Sequence, residues 1–184
     1  MTYEQINPQS DELEIIRAAR DDPKAFGKLY LLYVERVFRY LCGRLGNVHE
    51  AEDTTAQTFL AAFESFDKFR QDGRFASWLF TIARNKAIDL MRQRKNKISI
   101  DQVETISIEA DPLNNVIRSD QVALLSQLIR ALPEEDRELL RLRFLAGMSF
   151  SVIAHFLHRN EESVKKSIYR LLARLKSQVE VSNE

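Results

Sequence analysis

Apolar side chains recur along this chain at three- and four-residue spacing, and almost nowhere at the two-residue spacing of a half-buried strand. Ala25, Phe26, Leu29, Tyr30, Tyr33, Val37, Phe38 and Leu41 keep the helical period, opened by Asp22 as an N-cap and Pro23 at the first helical position. Residues 51–66 continue it with Phe59, Leu60, Ala62, Phe63 and Phe66. After a break punctuated by Gly73, a third amphipathic helix is predicted from about residue 75 to about residue 94, through Trp78, Leu79, Ile82, Ile88, Leu90 and Met91. Residues 98–108 alternate somewhat, but they are isolated and flanked by charge, and they read as linker. Asp111-Pro112 opens another helix through Val122, Leu125, Leu128 and Leu132. Pro133 starts the next, with acids in its first turn where the helix dipole favours them, and it ends near Gly147. Ser149 and Asn160 cap the last two. The expected fold class is all-α.

A structureless stretch of about 20 residues is unusual inside one compact domain. The predicted organisation is therefore two small helical domains, residues 22–95 and 121–178, joined by a flexible linker over residues 96–120. Basic and acidic residues balance at 27 each, which argues against indiscriminate coating of DNA. The charge is unevenly placed, however. Arg84, Lys86, Arg92, Arg94, Lys95 and Lys97 face only Asp89, and Lys165, Lys166, Arg170, Arg174 and Lys176 face no acid between residues 163 and 176. The linker carries Asp101, Glu104, Glu109, Asp111 and Asp120. Local basic stripes on a neutral chain fit site-specific contact. Cys42, the only cysteine, sits among apolar neighbours and reads as a small core residue. The opening residues are polar and acidic, and no apolar run approaches the ~20 residues that span a bilayer; a reducing cytoplasm is the expected setting. His49, His155 and His158 show no ligand spacing, and five glycines leave little material for a phosphate loop. No catalytic residue, metal or cofactor is expected.

Two segments carry the functional signal. In residues 147–176, Ile153, Ala154 and Leu157 supply the inner face of one helix, and Val164, Ile168, Leu171, Leu172 and Leu175 that of the next. This is the pattern of a helix-turn-helix, with Lys165, Lys166, Tyr169 and Arg170 left outside to meet phosphates or base edges. Glu162 either compensates the helix dipole or accepts from a cytosine amino group; Ser163 lies beside it. In residues 66–95, Phe66, Phe69, Arg70, Arg74, Phe75, Trp78 and Phe80 cluster around Gly73, and aromatic surfaces beside cations can hold unstacked bases. Phe75, Trp78 and Phe80 are assigned to the core, whereas Arg70, Gln71, Asp72, Asn85 and Asp89 are harder to explain there.

In this order the segments resemble a bacterial sigma factor of the sigma-70 family, extracytoplasmic-function (ECF) group, over residues 24–178. AEDTTAQTFLAAF resembles that family's polymerase-clamp segment, FASWLFTIARNKAIDLMR its −10 recognition and melting segment, and LPEEDRELLRLRFLAGMSFSVIAHFL the opening of its −35 domain. The resemblance implies a non-catalytic subunit that joins core RNA polymerase and directs it to promoters. It implies clamp contacts from Glu52, Asp53, Gln57, Phe59 and Phe63, a base pocket in the loop from Phe69 to Arg74, and −10 contacts from Asn85 and Asp89. It also implies a flap contact on the second-largest subunit, a linker in the RNA-exit path, and control by an anti-sigma factor. The chain departs from the family pattern at Ala56-Gln57, where Gln then Glu is frequent, and at His158-Arg159, where Gly then an apolar residue is common. A free-standing helix-turn-helix regulator, binding operators as a dimer, is the alternative from another class, although no heptad zipper accompanies it.

Overall fold

The computed structural model describes residues 8–70, 74–100 and 120–181. No strand occurs among them. The chain runs α1 (Pro8–Asp21), α2 (Phe26–Leu45), α3 (Val48–Glu64), α4 (Phe75–Ile100), α5 (Asp120–Arg130), α6 (Glu134–Leu140), α7 (Phe150–Phe156) and α8 (Glu161–Val181).

Local chemistry explains most of the boundaries. The Asp22 side chain accepts from the Lys24 amide, and Pro23 leads a 3₁₀ turn into α2. Gly46, with φ 70°, closes α2 in the left-handed conformation that costs glycine least. Asn47, Ser149 and Asn160 then cap α3, α7 and α8 through their side-chain oxygens. α6 passes into a π-helical turn, Arg141–Leu145, which ends before Gly147 at φ 63°.

Two boundaries differ from the sequence reading. The helical part begins not at Asp22 but with α1, whose Ile16 and Ala19 are buried against the core. Leu13, Ile16 and Ala19 recur at three-residue spacing, a helical signal in the sequence that the reading from Asp22 onward left unused. α4 runs six residues past Arg94, to Ile100. The first residues of the expected linker, 96–100, are therefore helical, and residues 101–119 lie outside the described ones, including the helix start expected at Asp111-Pro112.

The core does not stop at the proposed domain division. Leu29, Val37, Tyr40 and Leu41 of α2 and Phe75, Leu79 and Phe80 of α4 belong to one buried cluster with Leu139, Leu142, Met148, Ile153 and Ile168. At Gly43 the approach leaves no room for a side chain: a Cβ there would collide with the Leu145 side chain. A smaller cluster, Leu132, Leu140, Leu171 and Leu175, ties α6 to α8.

Candidate nucleic-acid interface

The seam between the two halves is polar at its centre. Glu138 of α6 is 4% exposed. It accepts from Tyr40 Oη at 2.7 Å, from Arg44 Nη1 at 2.6 Å and from Arg141 Nε at 3.0 Å. Glu134 adds a second carboxylate to Arg44 and Arg141. Burying so many charges is tolerable only because each is paired and hydrogen-bonded. Burial and the Glu138 carboxylate push the Tyr40 hydroxyl up, so it stays a donor. Around the π-helical turn, Arg36 donates to the Ala146 carbonyl at 2.7 Å and Arg39 to that of Phe144 at 3.1 Å. These α2 arginines satisfy carbonyls that a helix end leaves without partners.

On α3, Glu52, Asp53 and Gln57 are exposed, and Phe63 is 48% exposed. Phe59 is not available as the resemblance implied. It is 5% exposed and packs edge-on against Tyr30 with ring centroids 4.9 Å apart, so it supports this face from beneath. The surface includes one residue outside the sequence-based set, Leu60 at 59% exposed. Leu60 lies three residues from both Gln57 and Phe63, so helical spacing alone puts it on their face.

The loop before α4 divides similarly. Phe69 is buried, its ring among Phe66, Phe75 and Trp78, and α1 holds its backbone through a hydrogen bond from Arg20 to the Phe69 carbonyl. Its side chain is therefore structural rather than an open contact. Arg70 and Arg74 are exposed; Gln71 and Asp72 lie outside the described residues. Asn85 and Asp89 are exposed on α4, where Asp89 and Lys86 share a groove with Asp53 and Gln57 of α3. Arg94 ties the end of that groove to Glu50, its Nε donating at 2.9 Å.

On α8, Val164, Ile168, Leu171 and Leu175 are buried, while Glu162, Ser163, Lys165, Lys166, Tyr169 and Arg170 are all exposed. The turn before it is set by His158 in the left-handed region at φ 52°, with the Arg159 amide donating to the Ala154 carbonyl at 2.8 Å. Histidine tolerates this conformation better than most side chains, so the departure from glycine leaves the turn intact. Phe150 backs the Tyr169 ring at 6.0 Å. This surface is a basic helix face on a rigid two-helix support, suited to a DNA groove. Among the described residues there is no group of three His, Cys, Asp or Glu that could hold a metal ion, and no helix long and apolar enough to cross a membrane.

Comparison with known proteins follows the same division. The description "Sigma-70 region 2" matches residues 29–97, and "Sigma-70, region 4" matches residues 123–175. The chain is 34% identical over 163 residues to the ECF RNA polymerase sigma factor BldN of Streptomyces coelicolor, covering 86% of this chain and 62% of that protein. It is 28% identical over 177 residues to the ECF sigma factor SigW of Bacillus subtilis, covering 90% and 94%. In fold it is similar to the sigma factor RpoE of Bartonella quintana, solved in complex with the anti-sigma factor NepR. That likeness has a TM-score of 0.63 at 23% identity, covering 86% of this chain and 98% of the other.

Proposed function

This chain belongs to the sigma-70 family of RNA polymerase sigma factors, in its ECF group, and from that premise we propose how its surfaces divide the work of promoter-specific initiation. The face of Glu52, Asp53, Gln57 and Phe63, with Leu60 beside them, meets the clamp of the largest polymerase subunit. Arg70 and Arg74, with Asn85 and Asp89 on α4, contact the −10 element and capture its unstacked bases. Lys165, Lys166, Tyr169 and Arg170, with Glu162 and Ser163 at the helix start, face the −35 element. The chain supplies binding and no catalysis of its own, and it works where polymerase works, in the cytoplasm.

The observation that carries this reading is the separation of exposed from buried residues. On both α4 and α8 the residues expected to touch DNA are outside, while their helical neighbours are buried. The relative from Bartonella quintana was solved with an anti-sigma factor, and control of this chain by such a partner is part of the proposal. The chain spans 62% of the length of the Streptomyces relative, so nothing of that protein's remaining part is carried over.

Packing of the two halves has a geometric consequence for this function. The two elements are centred about 25 base pairs apart, roughly 85 Å of B-DNA, whereas a compact chain of 184 residues is on the order of 40 Å across. The halves must separate for both faces to reach one promoter. The test is transcription by sigma-free core polymerase on a sheared genomic library, with and without the protein, mapping RNA 5′ ends. A small set of protein-dependent starts sharing upstream elements is expected. A protein that shifts DNA tightly by itself, yet gives no new starts, would instead be a free-standing regulator.

A further inference from the structure

The turn before α8 carries a cation that the turn itself does not need. Its backbone is closed by the Arg159 amide on the Ala154 carbonyl and by the Asn160 side chain, which accepts from the Glu162 amide at 2.9 Å. The Arg159 side chain is exposed and runs instead along α8, where its Nη2 donates to Ser167 Oγ at 2.9 Å. A hydroxyl orients a guanidinium but leaves its charge unanswered, and no carboxylate among the described residues pairs with Arg159. Ser163 and Ser167 stand one turn apart on α8, so small residues keep this flank of the helix open. Ser167 also lines a groove with Arg170, Arg174 and Asp136 of α6. Asp136 holds Arg174 there at 3.3 Å, in a partly exposed pair of the kind that contributes little by itself. From Ser167 to Arg174 the helix rises about 10 Å, so three guanidiniums stand in a row along one edge of the reading face.

We propose that Arg159 is a further DNA-contacting residue of this chain: held by Ser167, it takes a backbone phosphate at the edge of the −35 element, with Arg174 beside it. The inference rests on the assignment of α8 to that element. Ser167 is half-buried, at the border between the buried stripe and the outward face of Lys166 and Tyr169. A guanidinium placed there meets the rim of a DNA groove rather than its floor. Phosphates line that rim in every sequence, and contacts to them fix register and orientation without reading bases. The planar guanidinium matches a phosphate through two parallel donors, and the Ser167 hydroxyl acts only as a positioning group for it. Arg159 therefore adds affinity equally on all promoters, and with it the release of a counterion. Because an apolar residue is common at this position in the family, the contact belongs to this chain rather than to the family as a whole.

The test is binding of the full chain, assembled with core polymerase, to two promoters that differ at the −35 element, from about 50 to about 200 mM salt. Arg159→Gln is expected to weaken both promoters by the same factor, about tenfold at the low-salt end. It should also lower the slope of log affinity against log salt by about 0.9. Arg159→Lys keeps the charge and should keep the slope. Ser167→Ala should weaken binding about threefold at an unchanged slope, because the charge stays but is no longer oriented. Melting temperatures of all three variants should match the wild type. An unchanged slope in Arg159→Gln overturns the proposal, and a lowered melting temperature beside it would make the side chain a staple across α8 only. A loss that differs between the two promoters overturns the phosphate assignment in favour of a base edge. Should the wild-type holoenzyme select no promoter, the sigma reading fails instead, and the same titration of the chain alone on duplex DNA still decides Arg159.

Discussion

Phe59 and Asp53 are six residues apart on α3, and their burial assigns them opposite consequences. Phe59 is a core ring, so Phe59→Ala should cost about 3 kcal/mol or more of folding stability, with any loss of polymerase binding following from that. Asp53 is exposed, so Asp53→Lys should leave the urea midpoint nearly unchanged and weaken the complex with core polymerase. Urea melts beside a polymerase pull-down would separate the two; equal stability for both variants would contradict the burial argument. Glu12 makes a different residue-scale prediction. Tyr33 donates to its carboxylate at 2.9 Å, but burial outweighs that bond and holds the carboxyl above its ordinary value of 4.5. The folded chain therefore holds this proton more tightly than the unfolded one. The resulting stability is full below the ordinary value and is lost as pH rises through the raised one. Glu12→Gln should remove that decline, read as a flatter dependence of unfolding free energy on pH across this acidic window. Parallel slopes for variant and wild type would show that Glu12 is not its source.

At the scale of the element, α8 is a buried stripe backed onto α7 with a reading face turned outward. Lys166→Ala and Arg170→Ala remove exposed groups only, so thermal stability and polymerase binding should survive. Promoter use should fall, by about 1–3 kcal/mol for each side chain that pairs with a base edge. Run-off transcription on the mapped promoters checks this, and an unchanged yield with Arg170→Ala would remove that residue from the −35 face. α1 shows how an element can serve a site without carrying any of its signal. Its Arg20 fixes the Phe69 backbone, and its Ile16 and Ala19 join the α2 core. Its Leu13, Ile16 and Ala19 do keep a three-residue spacing, so the helix itself was readable, but its support of the Phe69 loop was not.

At the scale of the whole molecule, packing of the two halves is the property with most consequence. The Glu138 cluster joins α2, α4 and α6, and breaking a buried pair by removing one partner costs about 3–5 kcal/mol. Glu138→Ala, and independently the Gly43→Leu wedge, should open the seam. Small-angle scattering is expected to give a radius of gyration near the roughly 16 Å of a compact chain this long for the wild type, and a clearly larger value for both variants at unchanged helix content. A wild-type value already well above the compact one would mean that the seam is open in solution.

The all-α class, the caps at Asp22, Ser149 and Asn160, and the outward face of α8 were legible in the residues themselves. Each depends on neighbours no more than one or two turns away, and helical period and cap chemistry are local properties. The family resemblance was legible for a related reason: binding faces keep a linear order that sequence displays. Tertiary structure decided the rest. Phe59 and Phe69 are apolar residues on motif segments, and nothing local tells a ring that meets a partner from one that Tyr30 or Trp78 already covers. Glu138 looks in sequence like another acid near a helix start. Its burial among Tyr40, Arg44 and Arg141 arises only when α2 and α6, almost a hundred residues apart, pack together. Packing of the two halves is a long-range event, and long-range contacts have no period to read.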